Sequence, residues 1–313
     1  MKAFISAALL FIGISCLSLW IFIQPQFYRF IHNDYISSPT HARDIENGRV
    51  LFAIGGCASC HQSPGSTERT YLGGGLELET QFGTFYPPNI SSDKTYGIGA
   101  WSEEDFIRAL HEGVSPQGVS YYPAFPYTSY HHINVDDIAD LFAYLKTLPA
   151  IPGQQPEHTL RFPYNMRAFL GLWRLMFLTD EIITADPQQS SLWNRGRYLV
   201  EGPGHCAECH SPRSISGSII ASARFSGGPD ANGKGWVPNI TSDPSGIGSW
   251  SVNDIAELLK SGFTPDYDSV GGSMAEVIKN TSQLSDQDRL AMAIYIKSLP
   301  PIFHTHIKKD VMK

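Results

Sequence analysis

No cluster of lysines or arginines appears along the chain, and the formal charge is −7, which speaks against nucleic acid as a partner. Charged residues make up only 17% while hydrophobic residues reach 42%, the balance of a globular chain and not of a disordered one. Cysteine is scarce and odd in number, at five. Cys16 lies inside an N-terminal apolar run, and the other four fall in two identical patterns, so they read as sites and not as a disulfide framework. No nucleophile motif, catalytic triad or phosphate loop is recognisable, and the acidic residues sit at helix starts, where capping accounts for them. Methionine is missing between Cys57 and Pro163, an absence that matters below.

What is present begins with a targeting element. Residues Ala3 to Ile23 carry no charge and reach the length of a membrane-spanning helix. No small-x-small cleavage site follows the apolar run, so an uncleaved signal anchor over residues 1–25 is expected. Lys2 on one side and Arg29 on the other hardly fix its orientation.

The rest of the chain repeats once. Gly48-Arg49-Val50-Leu51 returns as Gly196-Arg197-Tyr198-Leu199, and Pro88-Asn89-Ile90-Ser91-Ser92-Asp93 as Pro238-Asn239-Ile240-Thr241-Ser242-Asp243. Gly97-Ile98-Gly99-Ala100-Trp101-Ser102 returns as Gly246-Ile247-Gly248-Ser249-Trp250-Ser251. This predicts an internal duplication with domains at 42–152 and 191–304, joined by a linker at 153–190. Ser102 to Asp105 has the form of a capping box, and Ser251 to Asp254 is its counterpart. Final helices are predicted from Asn134 and from Ser285. In the first of them Ile138, Leu141, Phe142 and Leu145 make one apolar face. The intervening stretches are rich in Gly, Pro, Ser and Asn and show no sustained alternation, so the fold class is mainly α with long irregular loops. In the linker, the apolar stretch Met166 to Leu178 is interrupted by Arg167 and Arg174 and is too short to span a bilayer. It reads as packing between the domains, with an interfacial helix or a docking surface as alternatives.

The chemistry is concentrated at Cys57-Ala58-Ser59-Cys60-His61 and Cys206-Ala207-Glu208-Cys209-His210. Both are Cys-x-x-Cys-His, the pattern of covalent haem attachment. Two thiols three residues apart lie on one side of a helical turn and can each bond a haem vinyl group, while the adjacent His reaches the iron. Zinc would need further Cys or His pairs at ligand spacing, and none exists. A redox dithiol would not require the following His twice. Two haems c are therefore expected, held by Cys57, Cys60, Cys206 and Cys209, with His61 and His210 as proximal ligands. Because c-type haem is attached outside the cytoplasm, these sites orient the anchor: single-pass in the inner membrane, with the haem domains in the periplasm.

For the distal side, Met274 in the segment Gly271-Gly272-Ser273-Met274 is the candidate ligand of the second haem, while Met292 reads as core. The first half offers His131 or His132, just before the last helix, with His111 as a further option. An open or weakly held site is the competing reading. Ligation by two histidines would give the first haem a lower potential than a His/Met partner. Pro88 and Pro238 stand where a carbonyl could orient each proximal His, and equally where loop punctuation would place a proline.

With these motifs in hand, together with Tyr122-Pro123-Ala124-Phe125-Pro126-Tyr127-Thr128-Ser129-Tyr130, the chain resembles the membrane-anchored multihaem cytochrome c subunits of periplasmic alcohol, gluconate and aldehyde dehydrogenases. The resemblance covers nearly everything after the anchor. It implies two tandem class I cytochrome c domains and no catalysis of the chain's own. It further implies electron transfer from a periplasmic dehydrogenase subunit to an acceptor in the respiratory chain, such as quinone, another cytochrome or an oxidase. It matches Met274 to the family's distal methionine. It also exposes a departure, since family members often carry Met at the place of Phe125 or Ile133. The alternative function is a dihaem enzyme such as a peroxidase using the first haem. Against it, the two halves are close copies of one plain cytochrome unit.

Overall fold

The computed structural model describes residues 38–179 and 182–304, together with Phe11. The expected anchor over residues 1–25 otherwise lies outside the described residues. Among the described residues no helix is long and apolar enough to cross a membrane.

The first half contains helices α1 (Ile45–Ile54), α2 (Cys57–His61), α3 (Glu103–Glu112), α4 (Tyr127–Tyr130) and α5 (Val135–Thr147). Helix α6 (Leu170–Phe177) lies in the linker. The second half contains α7 (Ser191–Glu201), α8 (Ala207–His210), α9 (Val252–Ser261), α10 (Ser273–Thr281) and α11 (Asp286–Lys297). Local sequence explains the starts. The Asp44 carboxylate accepts from the N–H groups of Glu46 and Asn47, and Ser102–Asp105 and Ser251–Asp254 both close full capping boxes. Each box satisfies two N–H groups that would otherwise lack partners at the helix start.

In each half the first and last helices cross in direct backbone contact. A Cβ added to Gly48 would collide with the Asp140 carbonyl, and one added to Gly196 with the Ala291 carbonyl. Glycine at these two positions is therefore what lets the helices approach so closely. The predicted face of α5 is buried: Ile138, Leu141, Phe142 and Leu145 are at most 7% exposed. Burial of each such side chain is worth about 2 kcal/mol.

The structure adds three features to the sequence reading. Short strands occur despite the lack of alternation: β1 (Leu78–Thr80), β2 (Gly83–Phe85) and β3 (Thr159–Leu160) form one antiparallel sheet, and β4 (Gly228–Pro229) pairs with β5 (Trp236–Val237). They are two or three residues long, too short to carry a period. The apolar core is not divided between two separate units, since Leu51, Leu145, Leu199 and Met292 belong to one continuous cluster. Arg174 in the linker helix is buried at 1% exposure, although its charge had suggested an interruption of the apolar face. The linker does pack between the halves. The Trp173 indole stacks edge-on against Tyr127 at 6.0 Å and donates to the Ser216 carbonyl at 2.8 Å.

Candidate cofactor site

The two Cys-x-x-Cys-His segments fold alike. The residue before each first cysteine is left-handed, Gly56 with φ 61 and His205 with φ 37. Each then turns into a short helix, which puts both thiols on one side. The main-chain carbonyl of His61 accepts from Gly74 at 2.7 Å, and that of His210 from Gly227 at 2.8 Å. Each ring is held as well: His61 Nδ1 donates to the Pro88 carbonyl at 2.7 Å, and His210 Nδ1 to the Pro238 carbonyl at 2.8 Å. A carbonyl can only accept, so the proton sits on Nδ1 and each Nε2 carries a lone pair. That is the form of imidazole that binds iron, with its orientation set by an outer partner. Of the two readings of Pro88 and Pro238, the structure selects carbonyl orientation.

The Pro-Asn-Ile segments are pinned to the end of each half. Asn89 donates to the Ile151 carbonyl at 2.6 Å and Asn239 to the Ile302 carbonyl at 2.9 Å. These segments therefore act as braces behind the two proximal histidines.

Burial pushes the Cys57 and Cys206 thiols up to about 12 and Cys60 to about 11, and it raises Cys209 as well. Burial likewise lowers both His61 and His210, against the opposing pull of the proline carbonyls. Yet the cysteines keep accessible surface, Cys209 most of all. Neutral thiols on one side of a helical turn and a lone pair on the adjacent Nε2 together fit an iron porphyrin. Among the described residues no group of three or more His, Cys, Asp and Glu side chains could hold a bare metal ion.

The two sites touch. His205, one residue before Cys206, lies with Nε2 at 3.3 Å from the Gly55 carbonyl, two residues before Cys57. Tyr130 donates to the same carbonyl at 3.2 Å and stacks on His205 at 5.6 Å. Contacts across the boundary are reciprocal. The third residue of the first motif, Ser59, accepts from Asn280 Nδ2 in α10 at 2.9 Å. The third residue of the second, Glu208, accepts from Ser129 in α4 at 2.9 Å. Burial would raise the Glu208 carboxyl, but Arg213 beside it, at 2.5 Å, holds it below the ordinary range. Arg69 joins the first contact, reaching Asn280 Oδ1 at 2.5 Å and Glu276 at 3.1 Å. An interface in which corresponding residues exchange corresponding contacts is that of a two-fold dimer, here within one chain. Sequence reading missed Ser59 and Glu208, because the middle residues of the motif carry no signal of their own, and Asn280 and Arg69, because only the fold brings them across the boundary.

The distal candidates are placed as follows. Met274 lies in the first turn of α10 and not in a loop, partly buried against the core. His111 donates from Nε2 to the Ile133 carbonyl at 2.7 Å, and His131 from Nδ1 to the His111 carbonyl at 3.0 Å. His131 is 7% exposed, and its Nε2 is buried without a hydrogen bond. His132 stacks edge-on against His131 at 6.1 Å. Met292 is 1% exposed in the core.

Comparison with known proteins gives the same picture. Residues 45–149 match the cytochrome c family. A diheme cytochrome c-type protein of Cereibacter sphaeroides is 49% identical over 264 residues, covering 83% of this chain and 87% of that one. The alcohol dehydrogenase (quinone) cytochrome c subunit of Gluconacetobacter polyoxogenes is 38% identical, covering 82% of this chain and 56% of its own length. The fructose dehydrogenase cytochrome subunit of Gluconobacter japonicus is 36% identical, covering 83% and 53%. The chain thus spans about half the length of these two dehydrogenase subunits.

Proposed function

Because the chain belongs to the dihaem cytochromes c, we propose that it carries two haems c and relays electrons from a periplasmic dehydrogenase to the respiratory chain. Cys57 and Cys60 hold the first haem and Cys206 and Cys209 the second, with His61 and His210 as proximal ligands. Met274 ligates the second haem on its distal side. Bound haem supplies one-electron exchange, and a thioether ligand raises its potential. The protein's part is to hold each imidazole by a proline carbonyl and to keep the two attachment turns in contact.

The observation that carries the reading is the duplicated turn itself: two Cys-x-x-Cys-His helices, each with its His braced on Nδ1, meeting at Gly55 and His205. Such contact suits passage of an electron from one site to the other. Relatives named as cytochrome subunits of dehydrogenases support a dehydrogenase as donor. The apolar N-terminal run supports anchoring at the membrane with the haem-bearing halves in the periplasm.

Haem content and a reductive titration of the full chain test this. Two haems per chain, filled by two electrons, with no turnover of hydrogen peroxide, are expected. One haem, or peroxide turnover, would overturn the carrier reading.

A further inference from the structure

The linker that packs between the halves turns its other side to solvent, and there it rests on one turn from each half. The two turns have the same form. Val114 bridges Ser120 in the first half and Arg213 bridges Ile219 in the second, each turn carrying a left-handed glycine, Gly118 or Gly217. Arg167 donates to the Ser120 carbonyl at 3.1 Å, and its guanidinium lies 4.6 Å over the Tyr122 ring. On the other side Tyr164 donates to the Ile215 carbonyl at 3.5 Å and Trp173 to that of Ser216 at 2.8 Å. One surface thus joins both turns and the linker.

This surface is apolar where solvent reaches it. Every residue from Arg161 to Phe169 is exposed, with Phe162 at 79% and Met166 and Phe169 beside it. Ile215, on the second turn, is exposed at 94%, and Val119 and Met176 extend the patch to the first turn and to α6. Grouped apolar side chains left in water mark a contact surface. The charge of this surface has one sign. The three segments that build it, 113–135, 158–179 and 209–229, contain no Asp or Glu, in a chain whose formal charge is −7. Arg161 donates to the Gln81 carbonyl at 3.4 Å and Arg167 to that of Ser120, so both keep their charge for something outside.

We propose that this surface is a second membrane contact, which lies on the bilayer with Phe162, Met166, Phe169 and Ile215 in the boundary between headgroups and acyl chains. Arg161 and Arg167 meet the phosphates of anionic phospholipids. Apolar side chains with cationic ones among them suit a membrane interface, where an arginine reaches the headgroups from an apolar footing. The rest of the chain is net negative and is repelled by the same lipid, so charge selects this face at short range. The N-terminal anchor proposed above brings lipid within reach. The contact is additional to that anchor and holds both halves against the membrane.

The test uses the full chain with its haems, carrying photoreactive benzoyl-phenylalanine in place of Phe162 or of Ile215. The control carries it in place of Tyr267, which is 91% exposed between Asp266 and Asp268. Each chain is placed in nanodiscs of phosphatidylcholine with phosphatidylglycerol, irradiated and weighed by mass spectrometry. Phospholipid adducts are expected at Phe162 and Ile215 with a yield roughly fivefold or more above that at Tyr267. The yield should fall roughly threefold or more without phosphatidylglycerol, and likewise when Arg161→Gln and Arg167→Gln are combined. Yields no greater than at Tyr267 would overturn the proposal. So would adducts with a protein in native membranes, which would make this face a subunit contact. Alkaline carbonate extraction of those membranes reads the anchor separately. A chain that resists extraction but forms no lipid adduct overturns the contact and leaves the anchor. A chain that is extracted, yet forms lipid adducts at Phe162 and Ile215 beforehand, supports the contact and removes the anchor.

Discussion

Single side chains decide the chemistry, and several do so through one hydrogen bond. His61 and His210 are legible from the motif, but the Nε2 lone pair follows from the Pro88 and Pro238 carbonyls, which only the folded loops bring to Nδ1. His111 shows the same dependence in another form. Burial lowers its pKa from 6.5 to about 4, with its bond to the Ile133 carbonyl opposing and His131 and His132 adding to the fall. In the unfolded chain this imidazole takes a proton below its ordinary value, while in the folded chain it waits until about 4. Between the two values the unfolded state binds more protons, so stability declines as the pH falls through that window and is fully present above it. The loss from this group is about 3 kcal/mol. Urea denaturation at pH 7 and near pH 4 should show a smaller decline for His111→Gln than for the parent, and an equal decline would refute the assignment.

At the scale of elements, α10 is the informative one. Its sequence reads as a loop before the last helix because Gly271-Gly272 and Asn280-Thr281-Ser282 surround it with turn residues. The tertiary structure makes it helical by using two faces. Ile278 packs by Gly262 and the Thr281 hydroxyl donates to the Leu259 carbonyl in its own half. Glu276 and Asn280, one turn apart, meet Arg69 and Ser59 of the other half. Asn280→Ala removes partners from Ser59 and Arg69 in a buried place and is expected to lower stability by about 2 kcal/mol, measured as a shift in urea midpoint. An unchanged midpoint would mean that the helix is held by its apolar face alone. The capped helices α3 and α9, by contrast, were fully legible, since a Ser with an acidic residue three positions on needs no tertiary help.

For the whole molecule, the continuity of the core implies joint unfolding of the two halves. Ile54 approaches Gly204 across the boundary and Ile133 approaches Gly202, while Tyr198 donates to the Asp137 carboxylate. Calorimetry of the full chain is expected to give one transition whose calorimetric and van't Hoff enthalpies agree. Two resolved transitions would show that the halves are independent. Glu208→Ala should destabilise this single transition by about 2 kcal/mol, because it strips a charged partner from Arg213 and Ser129 together. A variant that melts only one half would contradict the reciprocal interface.

By itself the sequence determined the cofactor class, the duplication and the long helices, because these rest on local signals: a five-residue motif, a repeated register and caps. It also showed that the first half lacks a methionine. Contacts between residues far apart in the chain were beyond it. Only the tertiary structure set the proton on each proximal imidazole and joined the two attachment turns at Gly55 and His205. A side chain's partner across the fold depends on how the helices pack, and packing is a property of the whole chain and not of any window in it.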